Sequence, residues 1–342
     1  MENLCKEVDE KIHVNLENEE IQDIAKAVDV MVRQRFVEAL HGINTEIKID
    51  RLEFIGSMAE DTRIWVPELA SCEWDLEFDY LVVIKSWPGC GDFIFVPSDE
   101  EGKMKIMYEV TDPQSVTGKY MNLNTAMKLS FMNTVLKGIR AKCERNMCTR
   151  QLSNLRTDHG CQCCTIYMKT GNLRITDVPI STGNVKQETV LFFVWSSIER
   201  SVCNPFRPIK LPNRSHDQYA EDMLQIKVDF NPVLEVNNKM IVERKADGKA
   251  VVLEENNKYF LFPYFPRLNN LDWRISTCHS ELKHLKDTSK EHKLAFCVLK
   301  FIGKAFQVYG NIEYVKSYEA KCVVLNHIRG VKHQTEERIY AF

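Results

Sequence analysis

Carboxylates in two separate stretches of the chain have the spacing of a site for divalent cations. Glu77 and Asp79 lie in the run Glu73–Ile84, and Asp229 lies in a second run, Leu224–Val236. Side chains at i and i+2 of a strand project from the same face, so the first two acids can reach the same ions. A third acid must come from a neighbouring strand, where an unpaired carboxylate among apolar residues is costly. Two Mg²⁺ ions held by such oxygens can neutralise a triphosphate and activate an attacking hydroxyl group.

The acid pair by itself is a weak signal, because acids also alternate along the solvated face of an amphipathic strand. Glu73 and Asp75 have the same phase as Glu77 and Asp79, so a different register would make the earlier pair the ligands. We favour the later pair, since a continuous apolar stretch follows it directly, as expected for a strand whose end is buried.

A glycine–serine pair upstream makes phosphate chemistry a more specific interpretation. Gly56 and Ser57 follow a predicted strand and precede a predicted helical turn that contains Ala59 and Glu60. A glycine lets the backbone approach a phosphate closely, and the following N–H groups and hydroxyl can bind its oxygens. Ordinary strand-to-helix turns also use Gly-Ser, so the signal lies in the order of glycine–serine, acid pair and later acid.

The elements that must position these residues are helices and strands in mixed order. Apolar residues at three- and four-residue steps predict a helix from about Glu19 to His41, ended by Gly42. A second amphipathic helix is predicted at 124–146, and residues from about 280 read as mostly helical. Strands are predicted at 47–55, within 73–84, at 165–169 and at 224–236, whereas 171–221 carries mixed signals and is predicted to be an insertion.

Composition narrows the class of protein more than its activity. The 342 residues fit two packed lobes, and a net charge of −3 gives no global signature of nucleic-acid binding. No apolar run approaches the roughly 18 residues of a membrane span, and the acidic N-terminus lacks a secretory core. Twelve cysteines at irregular spacings favour free thiols in a reducing compartment. These features predict a cytoplasmic protein that does not enter a membrane.

Several segments, taken in order, resemble the cyclic GMP–AMP synthase (cGAS)-like receptors and their relatives, the male-abnormal (Mab) developmental proteins. The segments are Gly56–Arg63, Glu77–Leu81, Val228–Asp229, Trp273–Ser276, Lys300, and Ser317–Tyr318 with Lys321. The resemblance implies a two-lobed α/β nucleotidyltransferase fold whose mixed β-sheet core is flanked by helices. The core is expected at 1–270, with an N-terminal spine helix and the insertion near 171–221. A C-terminal helical lobe, shorter than that of the family, is expected at 271–342.

The resemblance also implies a role for each candidate residue. Glu77, Asp79 and Asp229 would be catalytic and would bind two Mg²⁺ or Mn²⁺ ions, beside a triphosphate held by Gly56 and Ser57. Arg274 and Ser276 would contact a base or a phosphate, and Lys300 would contact a phosphate. Ser317 and Tyr318 resemble the start of the family's Ser-Tyr-x-x-Lys signature, in which the tyrosine stacks on a purine.

The implied function is synthesis of a cyclic dinucleotide second messenger from ATP and GTP in innate immune signalling, activated by nucleic acid. Double-stranded RNA or DNA would be the activator, and a STING-type receptor would read the product. One alternative is a catalytically inactive scaffold of the Mab type. Another is a nucleotidyltransferase that makes linear products.

Four further features bear on these expectations. Cys278 stands where the cGAS enzyme has a second serine, and the zinc-binding insertion of the vertebrate DNA sensor is absent between Ser280 and Leu294. The spacing of His159, Cys161, Cys163 and Cys164 is not usual for structural zinc, and small buried residues are the alternative. Basic residues on the two predicted helices would form either a phosphate-binding surface or a solvated face; they are Lys26, Arg33, Arg35, Lys137, Arg140, Lys142 and Arg145.

Overall fold

The computed structural model is a mixed α/β protein in which a large sheet is flanked by helices. It describes residues 2–36, 48–65, 76–86, 90–98, 103–110, 120–122, 165–176, 190–197, 223–236, 258–263, 272–310 and 317–340. The predicted helix at 124–146 and the cluster at His159–Cys164 lie outside these ranges, as do Glu73 and Asp75. In the described ranges, no helix is both long enough and apolar enough to cross a membrane.

The strands of the described ranges form one sheet. They are β1 Lys48–Ile55, β2 Leu76–Ser86, β3 Cys90–Pro97, β4 Lys103–Val110, β5 Tyr120–Asn122, β6 Thr165–Tyr167, β7 Gly171–Thr176, β8 Val190–Ser197, β9 Met223–Val236, β10 Tyr259–Pro263 and β11 Asp272–Ser276. The main path runs β3-β4-β11-β10-β9-β8-β7-β6. Strand β2 pairs with β9 and with β1, and β5 pairs with β4. The β2–β9 pairing is parallel, and the other pairings are antiparallel.

The helices are α1 Glu2–Glu7, α2 Glu19–Met31, α3 Gly56–Ala59, α4 Cys278–Lys286, α5 Lys290–Gly310 and α6 Ser317–Tyr340. Short π-helical segments follow α1 at Val8–Ile12 and α2 at Val32–Phe36. The helix predicted at 19–41 therefore begins where expected, but its regular α-helical part ends at Met31. Asn18 sets its start, because its side chain accepts hydrogen bonds from the backbone N–H groups of Glu20 and Ile21.

Strands β2 and β9 show why one face of the sheet is apolar and the other carries the acids. Residues with even numbers, such as Phe78, Tyr80 and Phe230, are buried in the core that includes the inward face of α2. Beyond residue 80 the odd-numbered Leu81 and Val83 are buried too, in a second cluster on the opposite face. The change from alternating to continuous apolar residues in β2 thus marks the point where both faces become covered.

The C-terminal helices pack on the N-terminal segment and on each other. Buried Cys297 and Val298 of α5 share a cluster with Val8, whereas Phe296 packs against Ala320 and Val324 of α6. Strand β11 pairs with β10 and β4, so residues 272–276 belong to the sheet. The segment predicted as a helical lobe from residue 271 therefore begins with a strand, and its first helix begins at Cys278.

Two strands lie within the segment predicted to be an insertion. Strand β7 pairs with β8, and β8 pairs with β9 over Val190–Ser196. Part of 171–221 is thus built directly into the sheet that carries Asp229. Trp195 explains part of this arrangement, because it is buried against the core while its indole N–H donates to Glu20 of α2 at 2.8 Å.

Candidate functional site

The three predicted carboxylates meet on the sheet. Glu77, Asp79 and Asp229 each offer an oxygen atom, and these atoms all lie within 4.8 Å of one another. The parallel register places Asp79 directly opposite Asp229 and Glu77 opposite Lys227. Because β2 and β9 both show the same phase there, all four side chains lie on one face. The three acids are half-buried rather than fully exposed.

The glycine–serine turn lies directly against this cluster. Ile55, the last residue of β1, pairs with Asp79, so the chain reaches the acids as α3 begins at Gly56. Gly56 has a φ of +78°, a conformation that favours glycine. A β-carbon added at this position would lie 2.2 Å from Oδ2 of Asp79. The glycine is therefore required both by its backbone conformation and by the closeness of the carboxylate.

Two cationic side chains also enter the cluster. The Lys227 Nζ atom lies 2.7 Å from Oε1 of Glu77 and 2.8 Å from Oδ2 of Asp229. Arg63 donates from Nη1 to Oε2 of Glu77 at 3.2 Å. Within the described part of the chain, Asp79 forms no ion pair of its own. Three carboxylates thus face two cations, which leaves negative charge uncompensated when all groups are ionised.

The three acids differ in their pKa values. Burial raises the pKa of Asp79, and the charges of Glu77 and Asp229 add to the effect, so that its pKa is about 7. Burial also raises the pKa of Asp229 to about 6, against the opposing effect of Lys227. Burial acts in the same direction on Glu77, but Lys227 and Arg63 outweigh it and lower its pKa to about 2.

The donor set fits a divalent cation. The oxygens belong to carboxylates, which are the hard ligands that Mg²⁺ and Mn²⁺ prefer. The ionised form of Asp79 is disfavoured in the cluster by itself, and a bound cation would stabilise it. The cluster is not complete as a purely internal ion-pair network, because Lys227 and Arg63 form ion pairs with Glu77 and Asp229, whereas Asp79 has none within the described residues.

The residues after the glycine–serine turn are fixed by the C-terminal helices. Lys300 of α5 donates from Nζ to the backbone oxygen of Thr62 at 2.8 Å, and burial lowers its pKa to about 8. Lys321 of α6 lies 2.5 Å from Oε1 of Glu60. Both lysines are residues that the sequence singled out, and both contact the segment between Gly56 and Arg63. This segment connects the helices to the acid cluster through the Arg63–Glu77 ion pair.

The buried Lys321–Glu60 pair leads to a prediction about stability. The side chains are 14% and 5% exposed, so a Lys321→Met substitution leaves a carboxylate buried without its main partner. Removing one member of a buried pair costs about 3 kcal/mol of unfolding free energy. We expect a loss of this size in urea unfolding. A Lys169→Met control removes an exposed pair with Glu19, 78% and 62% exposed, and should cost less than about 1 kcal/mol. Equal losses in the two variants would contradict the prediction.

The residues predicted to contact a base lie together in part. The Arg274 guanidinium lies over the ring of Tyr318, 5.3 Å from its centroid, and the tyrosine is 45% exposed. One face of the ring is therefore covered by a cation. Ser276 is engaged locally, since its hydroxyl accepts a hydrogen bond from the backbone N–H of Cys278 at 3.3 Å. Ser317 is the first residue of α6 and adjoins Tyr318.

Lys227, Arg63 and Glu60 are the contributors that the sequence interpretation missed. Lys227 was detectable, because it stands two residues before Asp229 and must share its face. The contacts of Arg63 and Glu60 depend on distant segments and had no local signal. On the first predicted basic helix, Arg33 pairs with Asp29 at 2.8 Å, so its charge is partly neutralised by its own helix.

Comparisons with known proteins find similarity among solved structures but none among family models or curated sequences. No protein-family model matches it, and no curated protein matches it. Among solved structures it is similar to that of E. coli MS115-1 CdnC with ATP, with a TM-score of 0.41 and 10% sequence identity. The match covers 96% of this chain and 65% of that one, so the chain spans somewhat less than two thirds of the other protein. A likeness this loose carries no argument about the site.

Proposed function

We propose that the protein is a metal-dependent nucleotidyltransferase. The observation that carries this proposal is the meeting of Glu77, Asp79 and Asp229 on one face of the sheet, beside the turn at Gly56 and Ser57. Carboxylates that converge at a close glycine turn suit a substrate that brings a triphosphate and needs divalent cations. The order of the sequence segments that resemble the cGAS-like receptors supports the same class of reaction.

The chain's own residues divide the work of such a reaction. Bound Mg²⁺ or Mn²⁺, two ions in the family's pattern, would supply charge stabilisation at the α-phosphate and lower the pKa of the attacking ribose hydroxyl. Glu77, Asp79 and Asp229 would hold the cations, and Gly56 and Ser57 would position the triphosphate. Lys300 would add positive charge near the phosphates, and the site as a whole would hold the reacting groups in position.

Base recognition is assigned to the region around Tyr318. The exposed ring offers a face for a purine. Arg274 and Ser276, in the segment that resembles the family, would supply a guanidinium and a hydroxyl group. Because Arg274 already covers one face of the ring, a base would stack on the other face or displace the guanidinium. Ser317 completes the family's signature at the start of α6.

We further propose the finer function that the resemblance implies. The protein would join ATP and GTP into a cyclic dinucleotide after binding double-stranded RNA or DNA, and a STING-type receptor would read the product in innate immune signalling. The two-lobed division at 1–270 and 271–342 and a cytoplasmic location belong to this proposal as well.

A second candidate is a catalytically inactive scaffold of the Mab type. The observation that favours it is Lys227, whose ammonium group already forms ion pairs with two of the three acids. A cluster neutralised from within can be structural rather than catalytic. Asp79, which has no ion pair among the described residues, favours the enzyme over the scaffold.

A product assay separates these functions. The protein is incubated with labelled ATP and GTP, Mn²⁺ or Mg²⁺, and a panel of double-stranded RNA and DNA, and the products are treated with phosphatase before chromatography. A cyclic dinucleotide keeps no terminal phosphate and stays unchanged, whereas a linear product is trimmed. We expect a phosphatase-resistant product that depends on nucleic acid and is lost in Asp229→Asn. The absence of any product under all these conditions would favour the scaffold.

A further inference from the structure

Lys227 lies inside the acid cluster, a position that a metal site made of the three acids alone does not require. Its Nζ atom bridges Glu77 and Asp229, at 2.7 and 2.8 Å, and therefore lies between two of the oxygens that a cation would contact. The lysine side chain is 23% exposed, so the ammonium group is held within the cluster rather than in solvent. An ammonium in this position satisfies the same carboxylates that a divalent ion would need.

The position follows from the sheet itself. Lys227 is the cross-strand partner of Glu77, and Asp229 is the partner of Asp79, in one continuous parallel register. A lysine two residues before Asp229 must share its face, and its flexible stem reaches across to the neighbouring strand. The third acid, Asp79, is left out of this arrangement. Lys227 therefore neutralises one side of the cluster only.

We propose that Lys227 is a resident counter-ion that competes with divalent cations for Glu77 and Asp229. The inference rests on the proposed metal-binding function of the cluster. A divalent ion that contacts all three acids must displace the ammonium group or share its oxygens, and close positive charges repel strongly in a half-buried site. Lys227 thus weakens cation binding, while it stabilises the cluster when no divalent ion is bound.

The competition makes a specific prediction for cation binding without turnover. Lys227→Gln removes the charge but keeps hydrogen-bond donors for both carboxylates, so we expect Mn²⁺ to bind about tenfold more tightly or better. Lys227→Arg keeps the charge and should bind Mn²⁺ like the wild-type protein. Without metal, Lys227→Gln should melt at a lower temperature than the wild type, and Mn²⁺ should raise its melting temperature by more.

The measurement is the loss of the free Mn²⁺ signal in electron paramagnetic resonance, titrated at constant ionic strength, with thermal melts beside it. Lys169→Gln, which removes an exposed lysine paired with Glu19, is the matched control and should bind Mn²⁺ like the wild type. If Lys227→Gln folds poorly, Lys227→Met provides a second neutral variant. Wild-type binding that is equal to or tighter than that of the neutral variants overturns the competition alone. No Mn²⁺ binding by either protein overturns the metal site, and with it the proposed function.

Discussion

The Asp79→Asn variant should be more stable than the wild-type protein in metal-free buffer at pH 8, although it should lose nucleotidyl transfer. Burial and the neighbouring charges of Glu77 and Asp229 raise the pKa of Asp79 to about 7, so its ionised form destabilises the folded state. Each unit of pKa displacement corresponds to about 1.4 kcal/mol. Since the amide remains a buried polar group, we expect a gain on the order of 2 kcal/mol in unfolding free energy, measured by urea unfolding in EDTA.

The pH dependence has a definite sign. An acid whose pKa is higher in the folded state than in the unfolded state binds more protons when folded between those two values. The unfolding free energy of the wild-type protein therefore falls as pH rises from about 4 to about 7, because Asp79 ionises at a cost in the folded state. The stability advantage of Asp79→Asn should shrink as pH is lowered towards 4. An unchanged advantage at pH 5 and pH 8 would contradict this assignment of the charge.

Glu77→Gln is the matched control, because its acid lies in the same cluster but has the opposite electrostatics. Lys227 and Arg63 lower the pKa of Glu77 to about 2 against the effect of burial, so its ionised form is stabilising above pH 4.5. Glu77→Gln should lower stability by about 1–3 kcal/mol at pH 8. Both variants should lose activity on the order of 10³-fold, since each removes a proposed cation ligand. Destabilisation by both variants would mean that Asp79 is compensated in the folded protein.

The Gly56→Ala variant should lose both stability and activity. A φ of +78° costs a residue with a β-carbon roughly 1–2 kcal/mol, and that β-carbon would lie 2.2 Å from Oδ2 of Asp79. Either the turn or the carboxylate must move, so the geometry of the cluster changes. We expect an unfolding free energy lower by about 3 kcal/mol and nucleotidyl transfer reduced on the order of 10²-fold.

Two other glycines separate the effect on the site from the effect on stability. At Gly171 a β-carbon would lie 2.5 Å from the Trp195 ring and 2.6 Å from the backbone oxygen of Ser196, so Gly171→Ala should destabilise the sheet without touching the acids. At Gly330 nothing lies within 4 Å, and Gly330→Ala should stabilise α6 by up to about 1 kcal/mol. Activity is compared well below the melting temperatures. Equal activity of Gly56→Ala and Gly171→Ala would contradict a role of the turn in positioning Asp79.

Elements with strong local periodicity could be predicted from the sequence. The start of α2 at Glu19 followed from apolar spacing alone, and the structure shows that Asn18 caps it. Strands β1, β2, β6 and β9 followed from alternation or from a continuous apolar run, with ends within a few residues of those predicted. Strands β7 and β8 were not predicted: β8 coincides with an apolar run, but the prolines and polar residues around it gave the segment mixed signals, and the place of both strands is set by their partners.

The acid cluster was predictable in its residue types but not in its pairing. The i, i+2 rule placed Glu77 and Asp79 on one face, yet only the parallel register brings Asp229 beside them. The same rule applied to Lys227 would have revealed a cation in the cluster. By contrast, the contacts of Lys300 with Thr62 and of Lys321 with Glu60 join segments 238 and 261 residues apart. No local pattern encodes such contacts. Metal binding and the roles of the nucleotide-binding residues remain predictions.

The parallel pairing of β2 with β9 has a consequence for how the protein is made. Glu77 and Lys227 are separated by 150 residues, so a nascent chain emerging from the ribosome exposes the first two acids long before their counterparts are synthesised. Non-local pairing of this kind is slow to form, and we expect the cluster to form only once β2 and β9 have paired. Uptake of Mn²⁺ during refolding would then report when the acid cluster forms, and partially folded chains would not bind the cation.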